Sequence, residues 1–311
     1  MHTGRFDYLE IGQKRRAVTR RRRALRKAKP SARMRFRAKE VIGRYGTDLG
    51  EFCCPGGLAI DQERNLYVAD TYNHRLQKIT PEGDVYGFFG RGSGPGSLLH
   101  PQGVAVDARG CIYVIEQGNA RLQKFSAEGR LLFCIGAKKE FRAPSGICLD
   151  DRHNVYVADC AAAEVKAYTA TGRKRADFIC GLGSGFRLKG PQGVACDKEG
   201  NVYVADTLGN KLVKMDMCGK VLLYFGKEGV GEGELRLPQD LTIDMDGGIL
   251  IVEIGNHRLQ KFNRAGEPQS IFPGARHKVS LNCPSGIAVD ELGNIYLADS
   301  LNHRILVLQA V

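Results

Sequence analysis

What the sequence lacks narrows its class before any motif is read. No apolar run approaches the ~18–20 residues needed to cross a bilayer, and no apolar stretch of the kind a secretory leader requires follows the basic N-terminus. These absences predict a soluble, cytoplasmic protein without a membrane span. Ten cysteines among 311 residues fall well short of the ~8–10% of a disulfide scaffold, and none forms a CxxC pair. Cys134, Cys148, Cys180 and Cys196 stand where strand apolar residues belong, so the cysteines read as reduced, buried, small hydrophobes. Adjacent Cys53 and Cys54 leave a redox or metal site open as the sharper alternative. There is no GxxxxGK[ST], no GxSxG and no HxxxH. The Gly-rich stretch "GRGSGPGS" at residues 90–97 precedes no helix, and so fails as a phosphate loop.

What is present is one unit written six times, the pattern to seek before any other. Pro55, Pro101, Pro144, Pro191, Pro238 and Pro284 each open a Pro-x-Gly triplet, the fifth spelled Pro-Gln-Asp, at spacings of 43 to 47 residues. A short apolar run ending in Asp follows each ("LAID", "VAVD"), then a turn such as "KEGN" at residues 198–201. A second run closes on an acid ("LYVAD", "IYVIE"), and a phrase spelled "NHRLQKI" or "NHRLQKF" in its best copies follows it. A turn and a fourth run ending in Gly complete the unit, as in "VLLYFG" at residues 221–226. Runs of four to six residues rich in Val, Ile, Tyr and Phe, bounded by Gly, Asn, Asp or Pro, are strands, and the Gly-Asn and Glu-Gly pairs suit tight hairpins. Four antiparallel strands per ~45 residues make a propeller blade, and stacking blades about an axis buries both faces of each. The sequence therefore predicts an all-β, six-bladed propeller.

The acid that ends the second strand recurs five residues before a base: Asp70/Arg75, Glu116/Arg121, Asp206/Lys211, Glu253/Arg258 and Asp299/Arg304. Such pairs stiffen a hairpin loop by about a kcal/mol or less if exposed. Their recurrence makes the histidines of the phrase (His74, His257, His303) structural rather than catalytic. The third unit departs from the pattern, with Glu164 in place of the base and Ala162 and Ala163 in place of Asn and His. Asp159/Glu164 is then a like-charge pair without a stiffening bond, and the unit is either a drifted repeat or a place where a partner docks beside residues 160–163.

The motif and its period resemble the NHL repeat, over residues ~40–311, with "NHRLQKF" the more specific mark. The resemblance implies a six-bladed propeller with a loop face that binds RNA or protein partners. Propellers of this kind often accompany RING and B-box modules in ubiquitin ligases, and no such module is present. Some six-bladed relatives are lyases or lactonases with metal ligands on the axis.

The sixth unit ends after its third strand, whereas residues 39–46, "KEVIGRYG", precede the first triplet and end as fourth strands do. The N-terminal strand is therefore expected to complete the last blade and remove its open edge. Residues 1–38 form a basic arm and residues 39–311 the propeller.

Charge is concentrated in the arm. Residues 1–45 hold 16 of the 46 basic residues and three of the 34 acidic ones, a net +13, and the remainder is −1. Like charges as dense as "KRRAVTRRRRALRKAK" repel, so the arm alone is expected to be disordered, with a thin helical stripe as the alternative. Arg20, Arg21, Arg22, Arg23, Arg26 and Lys27 would attract RNA or another anionic polymer. A solvated appendage, a targeting address, or a true start at Met34 are the competing readings. On the loop face, Tyr72, Arg91, Lys138, Lys139, Arg142, Arg187, Lys189, Arg276 and Lys278 are the candidate partner- or RNA-binding residues. The axial strands begin with Gln102, Ser145, Gln192, Gln239 and Ser285, which are neutral and make a poor divalent site. The sequence thus points to a non-enzymatic, monomeric binding platform without catalytic residue, metal or cofactor. A protein–protein adaptor and an axial-site lyase or hydrolase are the alternatives.

Overall fold

A computed structural model describes residues 36–136, 140–183, 185–272 and 279–310. β1 (Phe36–Ile42) is followed by six repeats. Blade 1 is β2 (Pro55–Ile60), β3 (Leu66–Asp70), β4 (Arg75–Ile79) and β5 (Val85–Phe88). Blade 2 is β6 (Pro101–Val106), β7 (Ile112–Glu116), β8 (Arg121–Phe125) and β9 (Leu131–Ile135). Blade 3 is β10 (Pro144–Leu149), β11 (Val155–Asp159) and β12 (Glu164–Tyr168). Blade 4 is β13 (Pro191–Cys196), β14 (Val202–Asp206), β15 (Lys211–Met215) and β16 (Val221–Phe225). Blade 5 is β17 (Pro238–Ile243), β18 (Ile249–Glu253), β19 (Arg258–Phe262) and β20 (Pro268–Phe272). Blade 6 is β21 (Pro284–Val289), β22 (Asn294–Asp299) and β23 (Arg304–Ala310), with β1 as its outer strand. The expected six-bladed propeller is the fold, and no helix among the described residues is long and apolar enough to cross a membrane.

Closure occurs where the repeat count placed it. β1 runs antiparallel to β23, with Val41 opposite Leu306 and Ile42 opposite Ile305. The strand starts at Phe36, ahead of the expected Lys39, and a bulge at Lys39 separates its two halves. Phe36 is buried and meets Phe272 of blade 5 edge-on, with ring centroids 6.4 Å apart.

Six apolar clusters hold the ring, and each is shared between neighbouring blades. Ile115 and Leu122 of blade 2, for example, pack with Ile147, Val157 and Tyr168 of blade 3. A single blade has no core of its own. The hydrophobic driving force is therefore satisfied only by the closed ring.

Blade 3 differs from the expected four strands. Among the described residues its sheet has three, and residues 171–180 continue as turns with one isolated bridge, Tyr168 to Lys174. The segment "RKRADFIC" begins with five charged or small residues instead of an apolar run, and Arg175 pairs with Asp177 at 2.6 Å.

The recurring phrase is joinery throughout. Asn73 donates to the Gly46 carbonyl and to Asp70. Arg75 donates to Asp70 and to the carbonyls of Thr47, Asp48 and Glu51. Gln77 donates to the Glu51 carbonyl and accepts from the Gly50 N–H. His74 sits in the left-handed region (φ 56°), and its Nδ1 accepts the backbone N–H of His100 in the next blade at 3.1 Å. His257 does the same for Cys283, and His303 for Cys54. Asn210 uses its side-chain oxygen for Leu237. Ala120 and Ala163 offer no such acceptor, and there the following N–H groups turn to the carboxylates of Asp159 and Asp206.

Three expectations about the ion pairs change. First, the acids of the pairs are fully covered, and in blades 2 and 5 the arginines are nearly so: the Glu253 side chain has no exposure and Arg258 is 9% exposed, at 2.6 Å. A surface-pair magnitude does not apply to them. Second, Asp206 and Lys211 form no ion pair, and the Lys211 ammonium lies 4.9 Å above the Tyr224 ring instead. Third, blade 3 is stiffened after all. Lys166, two residues beyond Glu164, reaches Asp159 at 2.9 Å and Glu164 at 3.4 Å, and donates to the Glu140 carbonyl.

Two outcomes follow from this architecture. Removing residues 1–34 should leave the thermal transition unchanged, whereas removing residues through Tyr45 should abolish cooperative unfolding, since β23 loses its outer partner and blade 6 its fourth strand. Calorimetry of the two truncations checks this. Arg258→Ala strands a buried carboxylate and should cost about 3–5 kcal/mol, read from urea midpoints. A loss below 1 kcal/mol would mean that the pair behaves as a surface pair.

Candidate functional site

The six inner strands, β2, β6, β10, β13, β17 and β21, surround an axial cavity of about 280 Å³. Each inner strand carries one extra residue directly after its proline, so that the ladder register slips by one. Such bulges re-aim side chains, and here Gln102, Ser145, Gln192, Gln239 and Ser285 line the cavity. Gln239 Nε2 donates to Gln192 Oε1 at 3.2 Å. Lower in the cavity the lining turns apolar, apart from Thr242 and the thiols of Cys148 and Cys196.

The third residue of each triplet stands where neighbouring inner strands nearly touch. A Cβ on Gly103 would lie 2.4 Å from the Ser145 carbonyl oxygen, one on Gly146 2.2 Å from that of Gln192, and one on Gly286 2.2 Å from that of Gly56. Glycine is required at such distances. Blade 5 alone breaks the column with Asp240, and the neighbouring Gly193 leaves room for it: a Cβ there would come within 2.6 Å of Asp240 Oδ1.

Asp240 is the one carboxylate among the described lining residues of the cavity. Its Oδ2 accepts the Ile287 N–H at 3.2 Å, and its remaining accessible surface faces the lumen. Burial without a compensating cation dominates, and two backbone N–H groups only partly offset it. The carboxyl is pushed up to about 7. A group so poised exchanges protons in either direction near neutral pH. The nearby glutamine amides can donate to a developing oxyanion.

One carboxylate among neutral donors does not fit a hard divalent cation, which takes several oxygen ligands. A different cluster has metal-ligand spacing. Cys53, Cys54 and His303 form the one group of three potential ligands among the described residues, with donor atoms within 4.8 Å of one another. Thiolate and imidazole suit a soft or borderline ion. None of the three lines the axial cavity, and His303 Nδ1 already holds the Cys54 N–H at 3.1 Å.

The partner-binding candidates do not converge. Tyr72, Arg91, Arg142, Arg187 and Lys189 are exposed on the loop side of three successive blade junctions. Arg20, Arg21, Arg22, Arg23, Arg26, Lys27, Lys138, Lys139, Arg276 and Lys278 lie outside the described residues. Asp240 was within reach of sequence reasoning. The Pro-Gln-Asp spelling marks it, although the middle residues of the triplets, which aim at the axis, are all neutral.

The NHL repeat family matches at residues 52–79 and 281–308, parts of blades 1 and 6. No curated protein matches the sequence significantly. The fold is similar to that of virginiamycin B lyase from Staphylococcus aureus, solved with quinupristin (13% identity, 89% of this chain and 100% of that one, TM-score 0.64). It is similar also to a gluconolactonase from Xanthomonas campestris (15% identity, 91% and 99%, TM-score 0.64). A protein of unknown function from Bacteroides thetaiotaomicron superposes as well (17% identity, 89% and 76%, TM-score 0.72). At these identities the likeness establishes the fold. It nevertheless corrects the expectation of a non-enzymatic platform engaging RNA or another anionic assembly. Propellers of this architecture include a lyase and a gluconolactonase, and the axis taken as neutral holds an ionisable carboxylate.

The raised Asp240 pKa has a stability signature. The folded state binds this proton more tightly than the unfolded chain, so between pH ~4 and about 7 folding weakens as pH rises. Asparagine has no such dependence. The urea-midpoint gap between Asp240→Asn and wild type should therefore widen in the variant's favour from pH 4 to pH 8, by up to about 4 kcal/mol. A constant gap would reject the shifted pKa.

Proposed function

We propose that the chain is an axial-site lyase or hydrolase that opens an ester or lactone bond in a small polar substrate, and that NHL-type repeats build the whole ring. Asp240 carries the reading: a carboxylate placed in a column that sterics reserve for glycine, raised to about 7, and facing amides able to bind a carbonyl oxygen. The printed activities of the similar propellers support it at the level of reaction class. The cavity of about 280 Å³ lies at the small end of ligand sites and favours a compact substrate or one arm of a larger one.

In the hydrolytic form, the Asp240 carboxylate takes a proton from water as its oxygen attacks the acyl carbon. The carbonyl π electrons move to oxygen, which the Gln192 and Gln239 amides receive. On collapse the acyl C–O bond breaks, and protonated Asp240 returns the proton to the leaving oxygen. In the lyase form, the same carboxylate removes a proton from the carbon adjacent to the one bearing the ester oxygen. A C=C bond forms, the alkyl C–O bond breaks, and the carboxylate of the product leaves. The two differ in the fate of solvent oxygen.

A panel of small lactones and cyclic esters, incubated in ¹⁸O water and read by mass spectrometry, tests the reading. Hydrolysis places one solvent oxygen in the product and elimination places none. The rate should rise with an apparent pKa near 7, and Asp240→Asn should lower it by about 10²–10⁴-fold. Turnover that survives this substitution would remove Asp240 from the chemistry.

A further inference from the structure

Below the polar mouth of the cavity, Cys148 on β10 and Cys196 on β13 bring their sulfur atoms to 2.7 Å. Both side chains are partly exposed to the lumen. The separation is within about 0.7 Å of a covalent S–S bond, and the two strands belong to adjacent blades, paired in register with Tyr156 and Val202 respectively. Equivalent positions at other junctions hold carbon: Ala59 with Val106 between blades 1 and 2, and Ala195 with Ile243 between blades 4 and 5. Filling the junction does not call for two thiols.

Residues 179–182 and Arg175 tie blade 3 to the 217–219 turn of blade 4 at the outer edge, but one tie that other junctions carry is missing from this one. Ala163 stands at the left-handed position that His or Asn fills at four other junctions, so no side chain of blade 3 reaches the N–H of Gly190. Among the described residues, blade 3 is the blade with three strands. Near the hub, Ser145 Oγ donates to the Gln192 carbonyl at 2.8 Å.

We infer that Cys148 and Cys196 are a redox-active dithiol that closes to an interblade disulfide when a small-molecule disulfide enters the axial cavity. The chemistry balances. One protein thiolate attacks a sulfur of the oxidant, forming a mixed disulfide and releasing one small thiolate. The second protein sulfur then displaces the other small thiolate, and the S–S bond joins β10 to β13. Two electrons pass to the oxidant, and the two protein protons leave with its thiols. The bond would join blade 3 to blade 4 at the hub and cross-link the wall of the cavity that Asp240 lines. This inference does not depend on the proposed reaction, because it concerns sulfur atoms that the reaction does not use.

The test uses the full chain, fully reduced and then incubated with oxidised glutathione until exchange is complete. Free thiols are then alkylated, and the protein is digested without reductant. A peptide pair linked through Cys148 and Cys196, lost on adding reductant, is expected, and the bridged protein should be about 2 Da lighter than the reduced form. The thermal midpoint should rise on oxidation. In Cys148→Ala with Cys196→Val, which copies the carbon pair of the blade 1–2 junction, the linked pair and this rise should both be lost. Alkylation of both cysteines after oxidation, a separate glutathione on each, or a link from either one to a different cysteine would overturn the assignment.

Discussion

Close approach of the inner strands at the hub is the constraint on which the rest of this molecule depends. Six sheets can share their apolar faces only if they converge, and convergence brings the backbone of one triplet to within van der Waals reach of the next. Glycine at the third position makes this possible in five blades. The bulge that accompanies each triplet aims the middle residue at the axis, so one feature both closes the ring and lines the cavity. Asp240 is meaningful against that background. A carboxylate in so crowded a column loses hydration without gaining a cation. Its elevated pKa is therefore a direct consequence of where it sits.

The rim solves a different problem by the same economy. Long loops between blades carry many backbone carbonyls that water does not reach, and a single arginine satisfies three of them while neutralising a buried acid. Arg121 binds Glu116 and the carbonyls of Ser93, Gly94 and Ser97, and Arg258 repeats the set with Glu253, Val230, Gly231 and Glu234. Histidine adds the tie to the next blade through Nδ1, which must be unprotonated to accept. Burial and the neighbouring His100 and Arg91 hold the His74 ring below its ordinary pKa, consistent with that duty. The histidines of the phrase are thereby committed to the scaffold.

Much of this was legible in the chain itself. Repeat spacing fixed the blade number, and the missing last strand located its replacement near residue 39, because a period is a property of sequence alone. What escaped was whatever depends on distance between repeats. Whether Asp70 and Arg75 are exposed cannot be read from a five-residue spacing; the loop that covers them comes from residues 47–51. Lys166 replaces a glutamine, not an arginine, and only the register shows that it reaches Asp159. The significance of Asp240 required knowing how near the neighbouring strand comes. The spelling was visible, and the steric reason for its rarity was not.

These observations give a way to divide such a chain into frame and function. Positions that recur in most of the repeats are explained by hydrogen bonds and packing that most blades share: the triplet glycine, the terminal acid, and the Asn, His, Arg and Gln of the phrase. Positions where one blade departs at the axis serve no such common need. Asp240 in blade 5, and Cys148 with Cys196 between blades 3 and 4, are departures of this kind, and all three open on the same cavity. Each blade supplies its lining from its own strand, so one residue can change there where the adjacent strand leaves room, as Gly193 does for Asp240. A rigid repeat ring thus separates stability from chemistry by position, and at the axis the irregular residues are the ones to test for function.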